Sequence, residues 1–323
     1  MNKVDLNYYD WNNFTIYFSA SSTQAYLKNC YQNQQLELAV QKSYQNCYPF
    51  IYYLEHGKIY YHQAYHAPLI IQPILLFYGF IHLIKACILT KDPDYPSTTS
   101  VLAHGVSTRK RKKQQYLFFE DEVKFQKSGL FPYMSEKLFN MKRLEGDKAT
   151  MGDLLASIPE LSDLFLQLER KRTFIKATVN DDYFILSNKV LDTFHMTEAR
   201  FRDYLQAKFQ VPFLITSITS DNLTVNVERH RNKEPIPFRM NLADGNYYFP
   251  YSKGEFFHFP ELLIHYLLLY NLSMIARYET EWWSELKKMM PNNDYPFIQS
   301  FINTTLRKGP YLVYQFLNSM RGK

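Results

Sequence analysis

The segment PILLFYGFIHLIKACIL, from Pro73 to Leu89, decides whether this 323-residue chain is read as a membrane protein or a soluble one. Its 17 residues are at the short limit for a spanning helix, and they include His82 and Lys85. A lysine at membrane depth is costly, and the mean hydropathy of the whole chain is negative, at -0.35. We therefore predict a buried core helix of a soluble protein. Its expected core-facing residues are Leu76, Phe80, Leu83, Ile84 and Cys87.

Three polar side chains recur along this predicted helix. Tyr78, His82 and Lys85 stand at positions i, i+4 and i+7, so they lie on one helix face. One interpretation is a helix edge, with a half-buried tyrosine, a hydrogen-bonded histidine and a lysine whose stem covers apolar surface. The alternative is a polar stripe that lines a pocket or an interface.

The segment from Pro260 to Met290 is predicted to form a second long helix. Its expected core face consists of Ile264, Leu268, Leu272 and Ile275. A separate stripe consists of Tyr266, Tyr270, Ser273 and Arg277. Arg277 is spaced to pair with Glu281 one turn later, and Trp282 and Trp283 are expected to pack against the helices. Two long helices that each carry tyrosines and a cation again allow either a solvated rim or a shared pocket.

The loop LAHGVSTRKRKKQ, residues 102–114, concentrates reactive and charged groups. His104 is a candidate general acid or base. The candidate ligands for phosphates or other polyanions are Arg109, Lys110, Arg111, Lys112 and Lys113. Aromatic residues follow at once and could stack on bases, although a solvated basic turn, partly neutralised by the acidic run Glu120–Glu122, is the alternative. The candidate pocket or interface consists of Tyr78, His82, Lys85, His104, Tyr270, Arg277 and Trp282.

Composition and motifs exclude several other classes of site. The three cysteines, Cys30, Cys47 and Cys87, are far apart, which argues against a disulfide scaffold or a structural zinc site. Gly-rich phosphate loops, nucleophile elbows and zinc-protease motifs do not occur. His62 and His66 have the i, i+4 spacing of a helical metal pair but no third ligand nearby, so neither a metal nor a cofactor is expected. No apolar signal core opens the sequence, and a cytoplasmic protein with no membrane contact is expected.

The segments along the chain predict a mainly α protein with a β-containing middle. Residues 1–172 are mostly helical, residues 173–259 contain alternating segments with turn signals, and residues 260–323 are helical. Two coupled lobes are one possible arrangement. The other is a single bundle of N-terminal and C-terminal helices into which the middle region is inserted.

Several blocks in order carry a resemblance to a known family. These are PILLFYGFIHLIKACIL, LAHGVSTRKRKKQQYLFFEDEVKFQKSGLF, LLASIPEL and YLLLYNLSMIARYETEWW. They resemble the YaaC-like proteins of Bacillus and its relatives over nearly the whole chain. The resemblance implies a shared fold and a cytoplasmic location rather than a particular activity.

A more distant similarity involves FYGFIHLIKA followed by His-Gly, which is similar to the HEPN superfamily of helical domains. Many of those proteins cleave or bind RNA, and catalytic members have an arginine four to six residues before a histidine. None of the nine histidines here has an arginine at that offset, and His104 and Arg109 occur in the reverse order. A HEPN-like bundle in this chain would therefore be expected to bind rather than cleave.

Two functions follow from these observations. The first is a soluble, non-catalytic regulatory or adaptor protein that binds a protein partner, with a nucleotide or nucleic acid as effector. The second is a HEPN-type ribonuclease in which His104 transfers a proton and Arg109 or Arg277 stabilises the developing charge. The second requires distant residues to converge. The oligomeric state cannot be predicted from the sequence.

Overall fold

The computed structural model of the chain describes residues 11–108, 116–180, 183–209, 213–219, 221–227, 235–254, 256–290 and 292–321. It forms two compact units. The helical unit consists of Asn7–Gly152 and Glu261–Lys323, and the sheet unit contains Asp153–Pro260. The stretch 153–172 therefore belongs to the sheet unit, whereas composition grouped it with the N-terminal helices.

The described α-helices are α1 (Ala20–Asn33), α2 (Ala39–His66), α3 (Gln72–Leu89), α4 (Leu130–Phe139), α5 (Met151–Ala156), α6 (Ser162–Leu168), α7 (Val190–Phe194), α8 (Glu198–Phe209), α9 (Glu261–Tyr278), α10 (Thr280–Met289) and α11 (Asp294–Ser319). The described strands are β1 (Val106–Thr108), β2 (Glu122–Phe125), β3 (Lys148–Thr150), β4 (Phe174–Asn180), β5 (Tyr183–Ser187), β6 (Phe213–Ile218), β7 (Asn222–Val227), β8 (Arg239–Asn241) and β9 (Asn246–Pro250). This confirms the mainly α fold with β structure in its middle.

Helix α3 is the central helix of the helical unit, and it packs against α2, α9 and α11. By length and composition it could cross a membrane, with a mean hydropathy of 1.6 over 18 residues, but 67% of it is buried inside the protein. Most of this apolar segment thus lies in the interior of the helical unit, in which N-terminal and C-terminal helices share one core. Leu76, Phe80, Leu83, Ile84 and Cys87 are all fully buried, as their spacing predicts.

Polar groups buried between α9 and α11 are paired with each other. Lys308 Nζ lies 2.7 Å from Glu261 Oε1, and the two side chains are 0% and 2% exposed. Nearby in the same helix pair, His265 Nδ1 and Thr305 Oγ1 are 2.8 Å apart. Buried charges are tolerated when they are paired in this way, so these contacts fix how α11 lies on α9.

A small antiparallel sheet in the helical unit has the strand order β1-β2-β3. Val106 pairs with Phe125 in its register, and Val123 pairs with Ala149. These residues are buried and alternate with more exposed neighbours, as a half-buried strand requires. The sheet begins directly after the His-Gly pair, and it therefore fixes the chain on one side of His104.

The sheet unit contains an antiparallel sheet with the order β6-β7-β5-β4-β9-β8. Its core is aromatic: Phe184 stacks on Phe238 with ring centroids 3.9 Å apart, and Phe249 lies 5.1 Å from Phe238. The buried Arg239 guanidinium donates to the carbonyl oxygens of Ser157, Phe256, Phe257 and Phe259. Carbonyl oxygens are suitable acceptors for a buried guanidinium.

The C-terminal segment differs from the single helix predicted between Pro260 and Met290. The helix α9 ends at Tyr278 and α10 begins at Thr280, with Glu279 between them at φ −116° and ψ 49°. No glycine or proline marks this break in the sequence. Since the two segments are not one continuous helix, the i, i+4 spacing of Arg277 and Glu281 does not bring them together. Arg277 instead contacts residues of α3 and α9.

Candidate functional site

The polar stripe of α3 faces α2 in the helical unit. His82 lies at its middle, and its ring is 5.2 Å from His56, 5.7 Å from Tyr60 and 6.0 Å from Tyr53. Tyr60 is nearly parallel to His82, with 19° between the ring planes. The close approach of α2 to α3 forces these side chains into a layer in which imidazole and phenol rings stack.

The two ends of this layer carry cations. At one end, Lys85 Nζ lies 5.7 Å from the centre of the Tyr53 ring. At the other end, Tyr60 also stacks on Tyr78, and the Arg277 guanidinium lies 6.0 Å from the centre of the Tyr78 ring. Contacts of this kind between cations and aromatic faces stabilise the charge without neutralising it.

Arg277 connects α9 to this layer. Its Nη1 donates to the Tyr78 hydroxyl at 3.3 Å, and its Nε donates to the Ser273 carbonyl at 3.1 Å. The guanidinium also lies 5.4 Å from the centre of the Tyr278 ring. Arg277 is thus held by neutral groups, and its positive charge is available to a further ligand.

His104 is held in place by its own backbone. Its carbonyl oxygen accepts hydrogen bonds from the Tyr266 hydroxyl at 2.8 Å and from the backbone N–H of Phe131 at 3.1 Å. The next residue, Gly105, has φ +76° and packs against Gly129, an approach that a side chain would prevent. The position of the imidazole is therefore determined by α9 and by the start of α4.

The His104 ring lies between aromatic side chains of α3 and α9. It is 5.1 Å from the Phe77 ring and 5.6 Å from the Tyr270 ring. Burial, followed by the positive charges of Arg277 and Lys85, lowers the pKa of His104. Both cations therefore act on one imidazole, although they belong to different helices.

The pKa values of His82 and Lys85 are also lowered. Burial, followed by the charges of Lys85 and His56, lowers the pKa of His82 to about 4. Burial also lowers the pKa of Lys85. We call His82, Lys85, His104 and Arg277 the basic cluster. Among the described residues, no carboxylate is a cause of the pKa shifts of His82, Lys85 and His104.

The structure does not place every sequence-predicted residue in this cluster. Trp282 contacts Tyr116 and Trp283, with ring centroids 4.6 Å and 6.4 Å away, and within the described part of the chain its ring contacts do not include the basic cluster. The basic run from Arg109 to Lys113 lies outside the described residues. The set that comes together is therefore Tyr78, His82, Lys85, His104, Tyr270 and Arg277.

Several residues beside the basic cluster come from α2, and they were not among the site residues predicted from the sequence. Tyr53 and Tyr60 are seven residues apart, and His56 is four residues before Tyr60. This i, i+3, i+7 spacing places the three residues on one helix face, as the i, i+4, i+7 spacing does for the stripe of α3. It is the sequence pattern from which these residues could have been identified. Mixed apolar spacing and Pro49 inside α2 hid it.

The N-terminal half of α2 carries a row of exposed tyrosines. Tyr44, Tyr48 and Tyr52 recur every fourth residue and are 72%, 55% and 54% exposed. The rings of Tyr48 and Tyr52 are 6.1 Å apart. We call these three residues the tyrosine stripe. Three large rings exposed on one helix face form an apolar surface of the kind that binds other molecules.

Metal binding has no structural support in the residues that the structure describes. His62 and His66 have ring centroids 4.9 Å apart on the exposed surface of α2. Within the described ranges, no group of three or more His, Cys, Asp or Glu residues could hold a metal ion. The three cysteines are buried and free.

Comparisons with known proteins give one positive result. A search of curated proteins and a search of solved structures each find no match, so the resemblance to HEPN domains has no support from them. A family model described as "YaaC-like Protein" matches residues 15–317. The match includes both units and every residue of the basic cluster, and this chain therefore belongs to the YaaC-like family.

Proposed function

We propose that this protein is a soluble, non-catalytic regulatory or adaptor protein that binds a phosphate-bearing ligand, a nucleotide or a nucleic acid, at the basic cluster. One observation carries the proposal: the positive charges of Arg277 and Lys85, on different helices, both lower the pKa of His104, and no carboxylate in the described part of the chain is among the groups that shift it. Positive charges that act on one group from separate helices repel each other, and a bound anion would lower that repulsion.

The types of side chain favour a phosphate group over other anions. Arg277 offers a planar fork of N–H donors and Lys85 a mobile ammonium group, and the two imidazoles can donate when they are protonated. The half-buried rings of Tyr53, Tyr60 and Tyr78 lie beside these donors, where a base could stack on an aromatic face. Such a combination suits a nucleotide better than a simple carboxylate.

The absence of an orienting group supports binding rather than catalysis. Catalytic imidazoles are commonly aligned by a hydrogen bond from a ring nitrogen to a carboxylate or carbonyl. Among the described residues, neither His82 nor His104 makes such a bond through its ring, and the buried Nδ1 atom of His82 has no hydrogen-bond partner there. Among the described residues, stacking contacts rather than ring hydrogen bonds position these two imidazoles.

The tyrosine stripe supports the proposed protein partner. Tyrosine is enriched in protein interfaces because its ring buries a large area at a small cost in side-chain entropy. The stripe lies on α2, the helix that also contributes Tyr53, His56 and Tyr60 to the ligand site. Ligand binding and partner binding would therefore share one structural element. A cytoplasmic location fits the three free, buried thiols.

Titration with adenosine monophosphate and with a short single-stranded RNA tests the ligand proposal. The purified protein should bind at least one of them, more weakly as salt rises. Lys85→Met and Arg277→Met should each lower the affinity about tenfold or more, because a hydrogen bond to a charged group is worth roughly 1.5–3 kcal/mol. The control Lys124→Met removes an exposed charge from β2 and should bind like the wild type. Equal affinity in all four proteins would contradict the proposal.

A lysate pull-down tests the partner proposal. Wild-type protein should retain a protein that a Tyr44→Ser/Tyr48→Ser/Tyr52→Ser variant does not retain. Because the three side chains are exposed, the variant should keep the wild-type thermal unfolding temperature. Retention of the same protein by both forms, at low and high salt, would remove the stripe as the partner surface.

Ribonuclease activity is the second candidate, and one observation favours it. The lowered pKa of His104 keeps its imidazole neutral near pH 7, so it could accept a proton, while Arg277 could stabilise the developing phosphorane charge. Total RNA incubated with wild-type protein and with His104→Ala separates the two functions. Cleavage by the wild type that is lost in His104→Ala would support the nuclease. Binding without cleavage would support the adaptor.

A further inference from the structure

Large exposed hydrophobic side chains are more numerous on α2 than on any other element that the structure describes. They are Val40, the three residues of the tyrosine stripe, Ile59 and Tyr65. The stripe is the densest part of this surface, because its rings recur every fourth residue and those of Tyr48 and Tyr52 are in contact. A surface of this kind is stabilised when a partner removes it from water.

The area of the stripe is large enough for the centre of a small interface. A tyrosine side chain can bury roughly 150–250 Å², so rings that are 72%, 55% and 54% exposed present about 300–450 Å². A contact between two such stripes removes twice that area from water. Val40, Gln41, Gln45 and Pro49 are exposed around the stripe. Their partial burial in both copies brings the total to about the 1,000 Å² that a specific interface needs.

The stripe carries no charge that would repel an identical surface. Every exposed residue of α2 from Val40 to Tyr52 is uncharged. Lys42 is the one charged residue in that stretch of sequence, and its ammonium group pairs with Asp94. Since the whole chain has a net charge of +6, two copies repel each other least where an uncharged face meets its own copy. A strongly charged partner, by contrast, would find no electrostatic complement on this face.

The spacing of the stripe suits packing of the helix on its own copy. Residues at i, i+4 and i+8 form one ridge of a helix, and two such ridges interdigitate when the helices cross at about −50°, the commonest packing class. A two-fold axis beside Tyr48 places Tyr44 of each copy opposite Tyr52 of the other. One ridge thus supplies both sides of the contact.

The same face offers both hydrogen-bond donors and an acceptor. Pro49 lies inside α2 and has no N–H, so it cannot complete the helical hydrogen bond to the Gln45 carbonyl. This leaves an acceptor beside the tyrosine hydroxyls, which can donate. Because donors and acceptor belong to one surface, that surface is complementary to a second copy of itself.

We propose that the tyrosine stripe is the interface of a two-fold symmetric homodimer, in which α2 of one copy packs against α2 of a second copy. The inference rests on the proposed function, because it names the protein partner of the stripe. Since α2 also carries Tyr53, His56 and Tyr60 beside the basic cluster, the dimer brings the helices of two ligand sites into direct contact.

Symmetry makes this arrangement directly testable, because a residue beside a two-fold axis meets itself. Tyr48→Glu and Tyr48→Lys each place two like charges at the axis and should weaken self-association about a hundredfold or more. A one-to-one mixture of the two variants pairs a carboxylate with an ammonium group and should restore the dimer.

Sedimentation velocity from nanomolar to high-micromolar concentration measures the wild type, each variant and the mixture. The wild type should reach twice the chain mass of 38.6 kDa. Its dissociation constant should lie in the micromolar range, because the buried area is at the low end for specific interfaces.

Tyr65→Glu is the matched control, because Tyr65 is 68% exposed on the same helix but lies outside the stripe. It should dimerise like the wild type. All variants should keep the wild-type thermal unfolding temperature at concentrations where the wild type is monomeric, because the replaced side chains are exposed.

Each other outcome overturns a distinct claim. A wild type that stays monomeric at high-micromolar concentration overturns the homodimer. If the stripe then still captures a different protein from lysate, the proposed function stands without it. A dimer that persists in Tyr48→Glu shows that another surface forms it and also overturns the inference. A mixture that stays monomeric overturns the axis beside Tyr48. A wild-type dimer that binds no phosphate compound overturns the proposed ligand and leaves the interface intact.

Discussion

Arg277 on α9 donates a hydrogen bond to the Tyr78 hydroxyl on α3 at 3.3 Å, and its guanidinium lies 6.0 Å from the centre of the same ring. This pair joins the polar edges of two helices whose remaining surfaces are almost entirely buried. Tyr78 in turn stacks on Tyr60, and Tyr60 stacks on His82. Two kinds of contact, a hydrogen bond and a cation–π contact, therefore position one charge.

Two substitutions distinguish the effect of the hydrogen bond between Arg277 and Tyr78 from the effect of the positive charge of Arg277. Tyr78→Phe keeps the ring and loses only the hydrogen bond, so we expect phosphate affinity to change less than about threefold and the free energy of unfolding to fall by about 1 kcal/mol at most. Arg277→Gln removes the charge and should weaken phosphate binding about tenfold or more. Calorimetric titration and urea unfolding measure both effects.

One result would contradict the interpretation that the charge of Arg277 controls phosphate binding. Equal affinity losses in Tyr78→Phe and Arg277→Gln would mean that the alignment of the guanidinium, and not its charge, controls binding. Arg277→Lys provides the control for charge alone, because an ammonium keeps the charge without the planar fork. It should bind better than Arg277→Gln and less well than the wild type.

The helical part of the fold could be predicted from the sequence, because the spacing of apolar residues along a helix is a local property. The period of α3 identified its buried face and its polar stripe, and the composition identified the β-containing middle. The effect of Lys85 and Arg277 on His104 depends on packing between segments far apart in the sequence, which no local pattern encodes. The sequence could therefore suggest these members of the site but could not show that they meet.

Two features could not be predicted for identifiable physical reasons. The break at Glu279 between α9 and α10 involves neither proline nor glycine, so tertiary packing must override local helix propensity there. Tyr95 follows Asp92, Pro93 and Asp94 and precedes Pro96 in a loop, and it has no periodic neighbours. The burial of its side chain is a property of the folded chain and could not be predicted from this pattern.

The stability of the protein should depend on pH through His82. Its pKa is about 4 in the folded protein, against an ordinary value of 6.5, so the folded state binds fewer protons than the unfolded state between these values. The free energy of unfolding should therefore be fully maintained above about pH 6.5, fall as the pH drops toward about 4, and level off below that.

Replacing His82 with a neutral residue isolates its contribution to the pH dependence of stability from that of other groups. Glutamine does not titrate, so the free energy of unfolding of His82→Gln should fall less than that of the wild type between about pH 7 and pH 4. Urea unfolding across this range measures the difference. The exposed His62→Gln should follow the wild-type curve. Parallel curves for wild type and His82→Gln would show that burial of His82 does not contribute to acid sensitivity.

The buried pair of Glu261 and Lys308 should be important for stability only as a pair. Either Glu261→Gln or Lys308→Met leaves the other charge buried, which costs about 3–5 kcal/mol. The double variant leaves no unpaired charge, and its loss should be clearly smaller than the sum of the single losses. A double-mutant cycle by urea unfolding measures this coupling. Single losses below about 1 kcal/mol would show that solvent reaches the pair and contradict its burial.

Gly79 determines how closely α3 approaches α2, and it therefore links stability to the ligand site. A Cβ atom at this position would lie 2.8 Å from Tyr60 Cβ and 2.9 Å from Tyr61 Cδ2. Gly79→Ala should lower the free energy of unfolding by about 1–3 kcal/mol, because overpacking at the crossing outweighs the better helix propensity of alanine. Urea unfolding measures this loss, with the exposed Gln63→Ala as a control.

The same substitution should weaken phosphate binding without altering any group that contacts the ligand. Tyr60 stacks on both Tyr78 and His82, so displacing it moves the layer that supports the basic cluster. We expect a loss of several-fold in affinity at a temperature where the Gly79→Ala variant is fully folded. If the variant loses stability but binds phosphate like the wild type, the stacked layer does not position the cluster, and His104 and Arg277 alone would define the site.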